Sequence, residues 1–129
     1  MSTGQVVVYA ILALVILIGL RRYLLKARVP EHTPAEVAKL LASPGAPLLL
    51  DVRTEAEHSQ GAIKGSLHIP LKDLVRRPEE LEKHRHREIV IYCQTGSRSL
   101  VAAVKLRKLG FNASSMKGGI AEWNFSRIR

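Results

Sequence analysis

The sequence predicts an α/β domain with a mainly parallel central sheet flanked by helices, preceded by one N-terminal transmembrane helix. Three observations carry this reading. Short, β-branched apolar runs alternate with helix-forming segments, the pattern of strands buried on both faces and connected by crossovers. A separate apolar run fills the first twenty residues without a single charge before Arg21. The chain of 129 residues leaves only about 100 for folding once that run is set aside, the size of one domain.

The first segment, Val6 to Leu20, reads VVVYAILALVILIGL, and the uncharged residues 1–5 extend it. About twenty helical residues at 1.5 Å each reach across a hydrocarbon core, so residues 4–25 are expected to cross a lipid bilayer. A cleaved secretory signal would place positive charge before its apolar stretch and small residues after it. Here the charges Arg21, Arg22, Lys26 and Arg28 follow the stretch. The positive-inside rule then predicts a single-pass membrane protein with its folded domain on the cytoplasmic side. Residues 1–28 form the expected anchor and basic juxtamembrane segment, and residues 29–129 the domain.

Net charge is +9, but four basic residues lie beside the apolar run, leaving 16 basic and 11 acidic residues from Pro30 onward. Such a balance suits a small anionic substrate or a headgroup surface. It lacks the concentrated, aromatic-studded basic stripe of a nucleic-acid binder, so no nucleic-acid partner is expected. One cysteine excludes an internal disulfide framework and any multi-cysteine metal site. His84 and His86 lack supporting ligands at suitable spacing and read as a solvated basic loop; no metal and no organic cofactor is expected.

Within the domain, residues 27–32 read as a linker. Thr33, Pro34 and Glu36 then make a helix start, with cap, first-turn proline and capping box, for a helix ending near Ser43. Leu48 to Val52 is a buried strand that delivers Asp51 and Arg53 to its carboxyl end. A helical turn follows over residues 55–60, then a glycine-punctuated loop, a short strand from Leu67 to Pro70 and a helix over residues 78–83. Glu88 to Cys93 is a second buried strand, and Ser99 to Gly110 a helix with a glycine stop and basic residues near its end.

Between the last two elements lies Gln94-Thr95-Gly96-Ser97-Arg98. A cysteine at the end of a buried strand, followed by a glycine-containing loop and a helix, sits where backbone N–H groups converge on one anion. Such a cradle favours thiolate over thiol and would equally hold a persulfide anion. Gly96 lets the loop curl, Ser97 and Ser99 offer hydroxyls, and Arg98 offers a guanidinium for an oxyanion. A lone cysteine is ordinarily a core residue; the glycine, serines and arginine around Cys93 argue for chemistry instead.

CQTGSRS, from Cys93 to Ser99, resembles the active-site loop of rhodanese-like domains. LLLDVRTEAEHSQGAIKGSLHIP, Leu48 to Pro70, is similar to that family's strand-and-loop signature, and MKGGIAEW, Met116 to Trp123, resembles its closing motif. The resemblance covers roughly residues 33–124 and implies that Cys93 accepts a sulfane sulfur from a donor such as thiosulfate or a persulfide. Cys93 would then pass it to a thiol or cyanide. It further implies that the amides of Gln94 to Ser99 hold the persulfide. Six residues from Cys93 to Arg98 match the sulfur-handling loop; related phosphatases hold one residue more. The family often has His where this chain has Ala62.

Arg53 is a candidate anion guide and Asp51 a structural partner of the site, while Glu57 reads as solvated or structural. Gly118 and Gly119 are expected to form a tight turn that supports the loop, and Trp123 a core anchor. Two further readings stand beside sulfur transfer to small acceptors. One is a membrane-tethered relay or docking module that hands sulfur to a protein acceptor with little turnover on small donors; the other is phosphatase-like or arsenate-directed chemistry.

Overall fold

The computed structural model describes residues 1–125 and the backbone of Arg127 and Ile128; the predicted domain limit at residue 129 lies outside the described residues. Among the described residues, five α-helices, α1 (Thr3–Ala27), α2 (Pro34–Ala42), α3 (Glu55–Ser59), α4 (Glu79–Glu82) and α5 (Ser97–Lys108), and two 3-10 turns, Leu71–Asp73 and Ile120–Glu122, accompany seven strands. These are β1 (Glu31–His32), β2 (Leu48–Asp51), β3 (Ala62–Ile63), β4 (Leu67–His68), β5 (Ile89–Tyr92), β6 (Ala113–Met116) and β7 (Arg127–Ile128).

The main sheet has the order β1-β6-β5-β2-β4, and every neighbouring pair in it is parallel. β3 and β7 form a separate antiparallel ribbon. Leu48, Leu50, Ile89 and Ile91 point to one face with Leu74, Leu81, Ala102, Ala103 and Leu106. Leu49, Val90 and Tyr92 point to the other with Val37, Met116, Ile120 and Trp123. Two apolar layers on one sheet explain why β2 and β5 are apolar without alternation.

The capping boxes fix where helices begin. Thr33 accepts from Glu36 N and Thr54 from Glu57 N, while each glutamate side chain returns a bond to its cap's backbone. α1 is 25 residues long, has none of its residues buried, and is apolar enough to cross a membrane. It does not end in a free linker: Val29 is buried in the domain core and Glu31 begins the sheet edge.

The predicted linker over residues 27–32 therefore contains β1, a two-residue strand too short to show a period. β6 escaped the hydrophobic reading altogether, because Ala113-Ser114-Ser115-Met116 is fully buried yet half polar. The last helix starts at Ser97 rather than Ser99 because Gly96 adopts a left-handed conformation, φ 105°, and serves as its N-cap.

Candidate active site

β5 delivers Cys93 to the carboxyl edge of the sheet, beside the end of β2. The chain then turns through Gln94-Thr95-Gly96, and the first turn of α5 closes around the sulfur. Gly96 N donates to Cys93 Sγ at 3.1 Å, and Ser99 Oγ lies 3.6 Å from it. Burial pushes the Cys93 thiol up, but bonds from the Ser99 hydroxyl and from the amides of Ser99, Gly96 and Thr95 outweigh it. The net position is below the ordinary cysteine value. Cys93 is itself fully buried.

The Gly118-Gly119 turn lies against the back of this loop. Ile120 N donates to Cys93 O at 2.9 Å and Ala121 N to Gln94 O at 3.1 Å. Gly119 has φ 65°, and a Cβ there would stand 2.5 Å from Cys93 O and from the Gln94 carbonyl. Only a residue without a side chain lets the two segments approach so closely. A Cβ on Gly96 would come within 3.2 Å of Gly118 N, so both partners in this contact are glycines.

Under the loop is a buried polar network. Asp51 is wholly buried and accepts from Arg53 N, Arg53 Nε and Nη2, Tyr92 Oη and His58 Nδ1, at 2.8 to 3.2 Å. Burial raises its carboxyl, yet the hydrogen bonds from Arg53 and His58 leave it below the usual carboxylate range. Burial pushes the Tyr92 hydroxyl up to about 12, which keeps it a donor to Asp51. The same hydroxyl accepts from Ile63 N.

Arg53 is only 3% exposed. Its remaining N–H groups go to Glu57 O, Gly61 O and Gln94 Oε1. All five of its donors are thus engaged by protein acceptors, and its link to the loop runs through Gln94. Arg53 stands behind the loop, not in an open anion path. His68 Nε2 bonds Arg53 O at 2.7 Å and its ring stacks on His58 at 4.1 Å.

At the rim, Arg98 Nη1 and Nη2 meet the two carboxylate oxygens of Glu57 at 2.7 and 2.8 Å. The Arg98 bonds outweigh burial and hold Glu57 down to about 2. Arg98 also lines an adjoining cleft of about 890 Å³ with Val52, Thr54, His68, Lys72 and Lys105. Cys93 is not in that lining.

Loop residues Gln94, Thr95 and Ser97 are exposed, whereas Ser99 is buried and its hydroxyl lies 2.7 Å from Ser115 Oγ on β6. Sequence reasoning did not single out Tyr92, His58, His68 or Ser115. None belongs to a recognisable motif in its own segment, and only the folded arrangement brings it to the site from α3, β4, β5 and β6.

The rhodanese-like domain model matches residues 33–126. A sulfurtransferase of Allochromatium vinosum is 35% identical over 96 residues, which is 74% of this chain and 88% of the relative. A tRNA sulfurtransferase of Desulfurococcus amylolyticus is 33% identical over 93 residues, 72% of this chain but 18% of the relative. A putative sulfur carrier protein of Bacillus subtilis is 37% identical over 76 residues, 58% of this chain and 40% of the relative. Among solved structures, a rhodanese-related protein of Thermoplasma volcanium superposes with a TM-score of 0.70 at 28% identity, covering 77% of this chain and 97% of that one. The relatives named as sulfurtransferases support sulfur transfer as the general activity. With its parallel sheet, its cysteine loop and this family match, the chain belongs to the rhodanese-like domain family.

Proposed function

We propose that this chain is a membrane-anchored sulfurtransferase of the thiosulfate sulfurtransferase type, with Cys93 as its nucleophile. The observation that carries the reading is the ring of donors around Cys93 Sγ at the carboxyl edge of a parallel sheet. In the first half-reaction the Cys93 thiolate attacks the sulfane sulfur of thiosulfate. An S–S bond forms, the sulfur–sulfur bond of the donor breaks, and sulfite leaves with the electron pair. In the second, an acceptor thiolate or cyanide attacks the terminal sulfur and Cys93 departs as thiolate. Charge is conserved in both steps and no cofactor is needed.

The amides of Gln94 to Ser99 stabilise the persulfide anion as they stabilise the thiolate, so neither half-reaction requires the loop to reorganise its dipoles. Arg98 attracts the anionic donor at the mouth once Glu57 is displaced. Arg53 and Asp51 are positioning residues beneath the loop, and Gly118 and Gly119 support it from behind. Residues 1–28 act as the anchor and residues 29–129 as the catalytic domain, on the cytoplasmic side by the distribution of Arg21, Arg22, Lys26 and Arg28.

A second reading is a relay that hands sulfur to a protein acceptor with little turnover on small donors. The cleft that shares Arg98 with the loop favours it, because it offers a surface for an approaching partner. Intact mass of the detergent-solubilised full chain before and after thiosulfate, beside Cys93→Ser, tests the proposal. The expected result is a gain of one sulfur atom on the native chain only, reversed by cyanide. A sulfur gain on Cys93→Ser, or none on the native chain with either thiosulfate or a persulfide donor, would overturn it. Gain from a persulfide alone would favour the relay.

A further inference from the structure

A sheet in which all five strands are parallel has two unlike edges. Cys93 and Asp51 lie at the carboxyl edge, whereas the chain enters β1 from α1 at the amino edge. The segments that precede β5 and β6 are at that amino edge too. They are the basic loop from Lys83 to Arg87 and the C-terminal end of α5, which contains Arg107 and Lys108. Arg85 Nη1 donates to Leu109 O at 2.9 Å and so joins the two segments into one surface. α1 contacts α5, and its exposed cations Arg21, Arg22, Lys26 and Arg28 come just before the chain enters β1. Lys83, Arg85, Arg107, Lys108 and the apolar Leu109 are all exposed there. Of the acidic groups nearby, Glu82 is paired with Arg85 and Glu88 with His32, while Glu31 is exposed on β1.

The distance to the bilayer is short. Of the 25 residues of α1, about twenty span a hydrocarbon core, leaving roughly five, or about 8 Å of helix, in the headgroup layer. Val29 is already in the domain core. The amino edge is therefore held within about one Debye length of the lipid phosphates, where basic side chains attract anionic headgroups.

We propose that the amino edge of the sheet, formed by the Lys83–Arg87 loop and the end of α5, is a docking face for anionic lipid headgroups. Docking there turns the Cys93 loop away from the membrane. The inference rests on the reading of α1 as a membrane anchor. Continuity with α1 and complementary charge select lipid over other occupants. In this arrangement the acceptor approaches Cys93 from the aqueous side, unobstructed by the bilayer.

Amide hydrogen exchange of the full chain in nanodiscs tests the face, comparing phosphatidylcholine alone with phosphatidylcholine plus phosphatidylglycerol. Exchange across residues 83–87 and 107–110 is expected to slow several-fold in the anionic discs. The slowing should vanish in high salt and in the double variant Lys83→Glu/Lys108→Glu, whose unchanged exchange across β2 and β5 shows that it is folded. Equal exchange in the two lipids, with residues 6–20 protected in both, would overturn the face and leave the anchor standing. Rapid exchange across residues 6–20 would overturn the anchor and the face together. Slowing at residues 94–99 in anionic discs would place the wrong edge on the membrane. Slowing of the basic segments by added RNA, with none from phosphatidylglycerol, would assign the surface to nucleic acid and refute the lipid assignment.

Discussion

Arg98 and Glu57 form a bidentate ion pair, 2.7 and 2.8 Å, that joins the first turn of α5 to α3 at the rim of the Cys93 loop. The pair occupies the guanidinium that an anionic donor would otherwise meet. Glu57→Gln retains the side-chain acceptor of the Thr54 capping box but removes the charge that holds Arg98. The expected outcome is a lower KM for thiosulfate. Arg98→Gln is expected to raise KM by about tenfold, the value of one charge-assisted hydrogen bond. Steady-state kinetics of both variants checks this, and identical KM values would remove Arg98 from donor binding.

The same pair makes a pH prediction. Glu57 titrates at about 2 in the folded chain against an ordinary 4.5, so its contribution is complete above pH 4.5 and lost as pH falls through 2. Both side chains are about a third exposed, so the contribution is about 1 kcal/mol or less. Urea unfolding of Glu57→Gln should differ from the native chain by that amount at pH 7, and the difference should shrink as pH falls from 4.5 toward 2. A difference as large at pH 2 as at pH 7 would rule the ion pair out as its source.

Cys93 is expected to ionise below its ordinary value of 9.0. A group depressed in this way adds stability above the unfolded value, and that stability disappears as pH falls through the folded one. Ultraviolet thiolate absorbance should therefore rise at lower pH in the folded chain than in urea. Ser99→Ala removes the hydroxyl and should move the folded midpoint upward; an unmoved midpoint would leave the backbone amides as the sole cause.

Asp51 is the acceptor on which Arg53, Tyr92 and His58 converge. Asp51→Ala strands the Arg53 guanidinium without its counter-charge and should cost about 3–5 kcal/mol in chemical unfolding. Tyr92→Phe keeps the charge pair but leaves Ile63 N–H without its acceptor, a smaller loss of about 1–3 kcal/mol. Reversal of that order would mean that packing around Tyr92, not the charge at Asp51, dominates.

Gly119→Ala places a methyl group 2.5 Å from Cys93 O, against backbone that cannot swing aside. Sulfur uptake should fall by at least tenfold with loss of thermal stability. Gly45→Ala, also at positive φ but with open space around its Cβ, is the comparison: it should lose only the backbone strain, about 1 kcal/mol, and keep its activity.

The strands of β2 and β5 were legible because their residues are apolar on both faces, and the start of α2 because Thr33 carries Glu36 three residues on. The Cys93 loop was legible because its chemistry is contiguous, seven residues from cysteine to Ser99. β6 was not, since its buried serines carry no hydrophobic period and Ser115 finds its partner only across the sheet. Glu57 was read as solvated or structural because its partner Arg98 lies 41 positions away. Arg53 was read as an anion guide from its place at a strand end; its burial and five protein acceptors follow from tertiary contacts with Gly61 and Gln94 that no local pattern announces.

One hydroxyl at the site has more neighbours than protons. Ser99 Oγ lies 3.6 Å from Cys93 Sγ, 3.0 Å from Gly96 O and 2.7 Å from Ser115 Oγ. Its single hydrogen can serve one of them at a time. While Cys93 is a thiolate, the hydrogen is drawn to Sγ, and Ser115 can supply its own to Ser99. When the negative charge moves out to the terminal sulfur of a persulfide, Sγ no longer commands it, and the hydrogen is free to turn to Gly96 O or Ser115. On the proposed function, the load state of Cys93 would thereby be written into the orientation of a buried O–H bond, a record that deuterium isotope shifts on these two serines can read without touching the sulfur.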